Sequence, residues 1–359
     1  MGATEFTLNH PLAVQRWSND LAVEAQVQQY FYKFMGGDTA MIKIQKELEK
    51  QSGESVTVAL RMKLSGDGIE GDNDIEGTTA SESLNFYNQT IYINQRRKET
   101  KSKGKMSEQR VPYNMRQQGR DALATWFAED YDQQHFMYLS GARGVDTGFH
   151  VPLTWTGRAN NSFNTPDTTH IIYGGNATGK GDLDSADTMT LSLIDRCIAK
   201  IETMDPMIMP FQINGEQKYV LLMHTWQAYD LRKATSNNDW IDIHKNTDGQ
   251  SSMIYKNALG EFNGIILHKH RYVIRFSDYG SGGTTTAARA LLLGAQAGMI
   301  AWGGAIAGVS RYSWNEETED RGNRLVITAG SIYGIQGSYY NSQWFGRFAI
   351  DTYCDDPNS

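Results

Sequence analysis

Cysteine is nearly absent from this chain. Cys197 and Cys354 are the only two in 359 residues. They are too few and too far apart to frame a disulfide scaffold, so both read as free thiols in a reducing compartment. Proline is scarce as well, at 7 residues against 35 glycines. Turns therefore fall to Gly, Asn and Asp, a balance that leans toward a strand-rich or mixed fold. Basic charge is also short: the formal net charge is -7. A surface of that sign repels nucleic acid as a whole, so any contact with it must be local. Only 21% of residues are charged while 40% are hydrophobic. That is enough apolar material for one large domain or two ordinary ones, and it excludes a disordered chain.

No targeting signal is expected either. The opening MGATEFTLNH has no basic region followed by an apolar stretch, and Phe6 stands where a myristoylation site needs Ser or Thr. One run, residues 290–309, is apolar and long enough to span a bilayer, with Gln296 its one polar side chain. Its glycines, above all Gly303 and Gly304, favour a buried helix running into a strand and no membrane span.

The familiar catalytic signatures HExxH, GxSxG, CxxC and GxGxxG do not occur. Three near-matches do. GGNATGK, residues 174–180, has the glycines and lysine of a phosphate-cradling loop. Gly181 replaces the magnesium-binding hydroxyl, however, Asp182 and Asp184 would repel phosphates, and the next helix starts only near 185–187. The sequence reads better as a loop in which Asp184 or Ser185 caps that helix. Asp72, Asp74, Glu76 and Gly77 imitate a calcium loop, but Ser83 occupies the place of its final acid. His268 and His270 share one face of a strand without a third ligand at a recognised spacing. No catalytic residue, metal site or cofactor is therefore expected.

Periodicity supplies the elements. Val23, Val27, Tyr30, Phe31 and Phe34 predict an amphipathic helix over 18–35. Strict alternation at Val56, Val58, Leu60, Met62 and Leu64 predicts a strand, and a second follows at 84–94. Together these make a long hairpin, which is marginal by itself and needs a surface to lie on. A single helix is expected over 107–139, with Pro112 early in it, and another over 187–204 with Leu191, Ile194, Ile198 and Ile201 on one face. Beyond 205 strands dominate, at 219–224, 264–276, 324–329 and 347–353, interrupted by a helical pattern at 284–299.

Charge is unevenly spread along the hairpin. Asp67, Glu70, Asp72, Asp74 and Glu76 make its tip acidic, whereas Arg96, Arg97, Lys98, Lys101, Lys103 and Lys105 make its base basic. Without interleaved aromatics the basic run fits electrostatic pairing with an acidic segment of a neighbouring subunit better than nucleic-acid binding. These eleven residues are the candidate intersubunit contacts.

The order of elements, together with GIEGDNDIEG (68–77), GGNATGKGDLDSADTMTLSLID (174–195), YVLLMHTWQAYDLR (219–232), NALGEFNGIIL (257–267) and AARALLLGAQA (287–297), resembles the tailed-bacteriophage major capsid proteins. More narrowly it is similar to the enquatrovirus-type podophage family. The resemblance covers about 17–353 and departs most at 85–105, with its lysine-rich KETKSKGK. It implies an α+β Johnson fold: an N-terminal arm (1–54), an E-loop β-hairpin (55–105), a P-domain with a spine helix (106–204), an A-domain (205–330) and a C-terminal return to the P-domain (331–359). It also implies a non-enzymatic subunit that self-assembles, as hexamers and pentamers, into an icosahedral shell around packaged double-stranded DNA. The DNA would be held without sequence-specific contact. Portal, scaffolding and decoration proteins would be partners, and synthesis would occur in the bacterial cytoplasm. Two other readings are a cargo shell of the encapsulin kind and a nucleotide-binding enzyme built on the Gly174 to Lys180 loop.

Overall fold

A computed structural model of the chain describes residues 11–49, 52–64, 66–72, 74–76, 81–158, 160–213, 215–235, 258–304 and 311–357. Five α-helices are described: α1 (Pro11–Gln28), α2 (Lys105–Gln109), α3 (Met115–Ser140), α4 (Leu191–Thr203) and α5 (Thr225–Ala234). Two sheets organise the rest. An eight-stranded sheet runs in the order Ala258–Phe262, Ile265–Lys269, Glu216–Met223, Thr285–Leu293, Arg347–Tyr353 and Ile171–Tyr173, with Phe211–Ile213 and Arg275–Tyr279 as side branches. A six-stranded sheet is centred on the long strand Arg324–Gly337. That strand carries Gly298–Trp302 and Tyr312–Glu319 on one edge and Asn94–Lys101 on the other. It runs unbroken through 330 and 331, where a segment boundary was expected.

Helix α3 packs on the long strand, and α1 packs on both α3 and Tyr312–Glu319. One large apolar core results, containing Leu21, Leu123, Phe127, Tyr131, Ile327 and Tyr333 among others. A second core lies where α4 and α5 cover the eight-stranded sheet. Burial of this extent is the main stabilising term, at about 25 cal/mol per Å² of apolar surface removed from water.

Several expectations are corrected. The N-terminal helix ends at Gln28, and a 3₁₀ turn, Phe31–Phe34, follows it. Its buried face is Leu21 and Ala25, which leaves Val23 62% and Val27 81% exposed. The helix expected over 107–139 is two helices: Pro112 lies in the linker between them, and the Asn114 side chain caps α3 by accepting from Arg116 N at 3.0 Å. Proline disfavours the helical region for its predecessor, which explains the break. Helix α4 does show the expected buried face of Ile194, Ile198 and Ile201. Its cap, though, is Thr190, whose Oγ1 accepts from Leu193 N, and not Asp184 or Ser185.

The apolar run beginning at 290 is not a helix. Thr285–Leu293 and Gly298–Trp302 are central strands joined by a turn at Gln296, where φ is +55°. A strand covered on both faces carries no period-2 signal, so composition alone does not separate it from a buried helix. Residues 305–309 of that run lie outside the described residues, among which no helix is long and apolar enough to cross a membrane. Helix α5 and strand Asn94–Lys101 were not anticipated.

Candidate functional site

The hairpin forms as its alternation predicts. Ser55–Arg61 pairs antiparallel with Phe86–Tyr92, from Ser55 opposite Tyr92 to Arg61 opposite Phe86. One face of this ribbon is packed: Val56 and Ile91 join Leu48, Met299 and Ala301 in a small core, and Val58, Leu60 and Tyr87 lie half-buried against it. Further out, Leu64, Ile75, Leu84 and Phe86 are each 56–61% exposed. Asp67, Glu70, Asp72, Asp74 and Glu76 are all exposed on this outer part. Gly77, which the calcium-loop reading required, lies outside the described residues.

The basic run is not a loose base but a strand. Asn94–Lys101 pairs with the long strand from Val326 opposite Lys101 to Tyr333 opposite Asn94. Alternation then divides its cations between two faces. Arg96 turns toward α3, where it donates to Asp130 Oδ1 at 2.5 Å, and its guanidinium lies 5.2 Å from the Trp126 ring centre. Asp130 is buried and also accepts from Gln134 Nε2 at 2.7 Å and the Tyr333 hydroxyl at 3.1 Å. Lys98 Nζ lies 5.4 Å from the same Trp126 ring. On the opposite face Lys101 is paired with Glu319. Arg97, Lys103 and Lys105 are exposed, and their side chains form no ion pair with a described residue. Sequence position therefore does not decide which cations are available; the pleat does.

The N-terminal segment is fastened to α3 by one carboxylate. Asp132 Oδ2 accepts from Tyr30 N at 2.8 Å and Oδ1 from Phe31 N at 3.1 Å. Burial pushes its pKa up to about 7, against the lowering effect of those two bonds. Burial likewise lowers Lys33, in the same cleft, to about 8. The two imidazoles singled out by sequence lie here as well. His270 stacks on Phe136 with ring centres 4.8 Å apart, and His268 meets Phe34 edge-on at 5.7 Å. Burial pushes His270 down to about 4. Among the described residues no group of three or more His, Cys, Asp or Glu side chains is placed to hold a metal.

A buried ion pair joins two neighbouring strands of the eight-stranded sheet. Arg289 Nε and Nη2 donate to Asp351 Oδ1 and Oδ2, both at 2.8 Å, and Nη1 donates to Ser140 O at 2.9 Å. Tyr279 Oη donates to Asp351 Oδ2 at 2.5 Å. Nearby Arg347, fully buried, donates through Nη1 to Tyr138 O at 2.7 Å and Leu139 O at 2.6 Å. A cation there satisfies carbonyls that the last turn of α3 leaves open. Both cysteines are buried, which pushes each thiol up to about 12 and makes it unreactive.

The glycine-lysine loop is filled by its own carboxylates. A Cβ on Gly175 would sit 1.9 Å from Asp187 Oδ1, and Thr178 Oγ1 donates to Asp182 Oδ2 at 2.5 Å. Lys180 Nζ donates to Asp278 Oδ2 at 2.6 Å, so it turns to its own chain. The space a phosphate would need is occupied by negative charge.

A family described as "Phage capsid protein" matches residues 5–353 of this sequence. The chain belongs to that family. Among curated proteins it is 25% identical over 343 residues to the major capsid protein of Pseudomonas phage KPP25, covering 89% of this chain and 87% of that one. Among solved structures, the capsid of Ralstonia phage GP4 is 37% identical, covers 100% of both chains and superposes with a TM-score of 0.87. The capsid asymmetric unit of cyanophage Pam1, at 17% identity and a TM-score of 0.71, covers 98% of this chain and 94% of that one and supports the fold. The chain thus has the tailed-phage capsid fold and is a phage major capsid protein that forms the head shell. Its relatives are structural proteins, and neither the cargo-shell nor the nucleotide reading is favoured.

Proposed function

We propose that copies of this chain join as hexamers and pentamers in an icosahedral shell, and that the acidic hairpin of each copy lies across the basic segment 96–105 of its neighbour. The observation that carries this is the hairpin itself: a two-stranded ribbon packed on one face as far as Leu60 and Tyr87, with exposed Leu64, Ile75, Leu84 and Phe86 on its outer part beside five acidic candidates. Such a ribbon is marginal in water unless something covers it. Charges across the contact would set register and partner choice more than affinity.

In this reading, residues 1–54 are the arm, 55–105 the hairpin, 106–204 the spine-helix domain, 205–330 the second domain and 331–359 the return. The strands Gly298–Trp302, Tyr312–Glu319 and Arg324–Gly337 share the sheet on which the spine helix packs. The net charge of -7 fits a container that holds packaged double-stranded DNA without sequence-specific contact. A portal, scaffolding proteins and decoration proteins complete the head, and the buried free thiols fit synthesis in a bacterial cytoplasm.

The test is charge reversal at Asp72, Asp74 and Glu76 to Lys. Shells should form slowly or not at all by electron microscopy, while the unassembled variant melts like the parent. Normal assembly would remove the proposal.

A further inference from the structure

The turn after α1 is seated among imidazoles. His135 stacks on Phe31 with ring centres 5.1 Å apart, and His270 lies 4.6 Å from the Tyr30 ring. His268 meets Tyr30 edge-on at 6.1 Å as well as Phe34. Three imidazoles thus cradle the three aromatic side chains of one short turn.

The hydrogen bonds fix what a further proton would do. His135 Nδ1 lies 2.6 Å from Tyr131 O, and since a carbonyl only accepts, Nδ1 is the donor and Nε2 the site left for a second proton. Nε2 is buried without a hydrogen-bond partner, so an N–H there would face no acceptor. His270 Nδ1 accepts from Tyr272 N at 3.2 Å, and a proton on it would set donor against donor. Burial lowers both imidazoles to about 4, and for His270 the charges of Arg271, Lys33 and His224 add to it.

The charges nearby do not offset such an imidazolium. Lys33 lies on the turn itself, over the Tyr30 and Phe34 rings, and Lys269 and Arg271 line the same cleft. On α3, Glu129 faces Arg271 at 3.3 Å and His150 at 3.5 Å, while Asp132 holds the two N–H groups of the turn. Beyond the turn, Asp38 is paired with Lys43 at 2.7 Å. The flanking elements are fastened elsewhere: α1 on α3 and Tyr312–Glu319, and strand Ile42–Gln45 on Gly298–Trp302.

We propose that Tyr30–Phe34 is an acid-released latch: proton uptake at His135 and His270 drives this turn out of its cradle while α1 and strand Ile42–Gln45 stay docked. Opening frees the N-terminal segment from the middle of α3 without unfolding either. It also widens the cleft of about 840 Å³ that Tyr30, Lys33, Asp132 and His270 line. Below the ordinary imidazole value of 6.5 the opened turn binds two protons that the closed one refuses. Asp132 opposes this, because the closed form keeps its carboxyl protonated up to about 7. The net uptake is one proton, so the ratio of open to closed rises about tenfold per pH unit between 6.5 and 4.

Both native thiols are buried, so spin labels go to introduced cysteines. Tyr32→Cys on the turn, 41% exposed, and Leu153→Cys, 53% exposed, are labelled in one full-length chain. This chain is diluted with unlabelled parent, and the distance within it is read by pulsed electron resonance. One distance is expected at pH 6.5, and a second, longer one should grow about tenfold per pH unit below it. Asp132→Asn removes the opposing group and should steepen the rise to about a hundredfold. His270→Asn should leave it nearly flat, and His135→Gln together with His270→Asn should keep the turn closed to pH 4.

A parent that keeps one distance down to pH 4 overturns the proposal. So does a parent whose far-UV circular dichroism is lost at the pH where the turn opens, since that is global unfolding. Should the double variant fail to fold, His270→Asn decides: a rise as steep as the parent's shows that its imidazole does not drive the release.

Discussion

Asp132 takes the N–H of Tyr30 at 2.8 Å, and this bond holds the turn after α1 against the central helix. Since burial raises its pKa to about 7 from an ordinary 3.8, the folded chain holds this proton more tightly than the unfolded one. Its contribution is fully present below about pH 4 and is lost as pH rises through 7. Asp132→Asn, which stays neutral, should flatten that loss, on the order of 2–4 kcal/mol. Urea unfolding of the unassembled variant from pH 5 to 8.5 reads it; a parent-like slope would assign the pH dependence elsewhere.

His270 works in the other direction. Burial first, then the nearby Arg271 and Lys33 charges, lower it to about 4. The stability it contributes is complete above its ordinary value of about 6.5 and is lost as pH falls through 4. His270 Nδ1 accepts from Tyr272 N at 3.2 Å, a role Asn can imitate without gaining a proton. His270→Asn should therefore melt at a temperature that depends less on pH between 6 and 3.5. Differential scanning calorimetry across that range checks it.

Removing Arg289 from the Arg289–Asp351 pair leaves the Asp351 carboxylate buried at 0% exposure. Arg289→Met should cost about 3–5 kcal/mol in denaturant unfolding. Adding Asp351→Leu should recover most of that, because the desolvated carboxylate is then gone. A double variant no better than the single one would show that the pair contributes stability in its own right.

Gly141 ends α3 at φ +70°, and a Cβ there would lie 2.1 Å from Asn164 O. Left-handed backbone and close approach both forbid a side chain. Gly141→Ala should destabilise the fold by more than about 1 kcal/mol. A stabilised variant would show that the loop at Asn164 yields readily.

The hairpin and the buried face of α4 were legible because each buries one side only, so burial writes a period into the sequence. Val56 against Thr57, and Ile194 with Ile198, are such marks. Ala290 to Leu293 were illegible for the opposite reason: covered on both faces, they need no polar partner at any position. Val23 and Val27 misled in a third way, since they are apolar yet face outward from α1. Charge located the acidic hairpin tip and the basic run, but not which cations remain available. That depends on Trp126, Asp130 and Glu319, and Asp130 and Glu319 come to their cations from 34 and 218 positions away. The exposed Val111 and Tyr113 were hidden inside an expected helix that Pro112 divides.

The long strand Arg324–Gly337 gives the head a transmission. The hairpin's strand Phe86–Tyr92 continues past Ile93 into Asn94–Lys101, which is stitched along eight residue pairs to the long strand. On its other edge that strand grips Gly298–Trp302, which in turn grips Ile42–Gln45 of the N-terminal segment. A sideways pull on the hairpin is thus borne as shear along a ladder of parallel bonds and not by one joint. Hairpin and N-terminal segment are geared together: in a shell where every hairpin rests on a neighbour, each subunit would feel the tilt of the next through its own backbone.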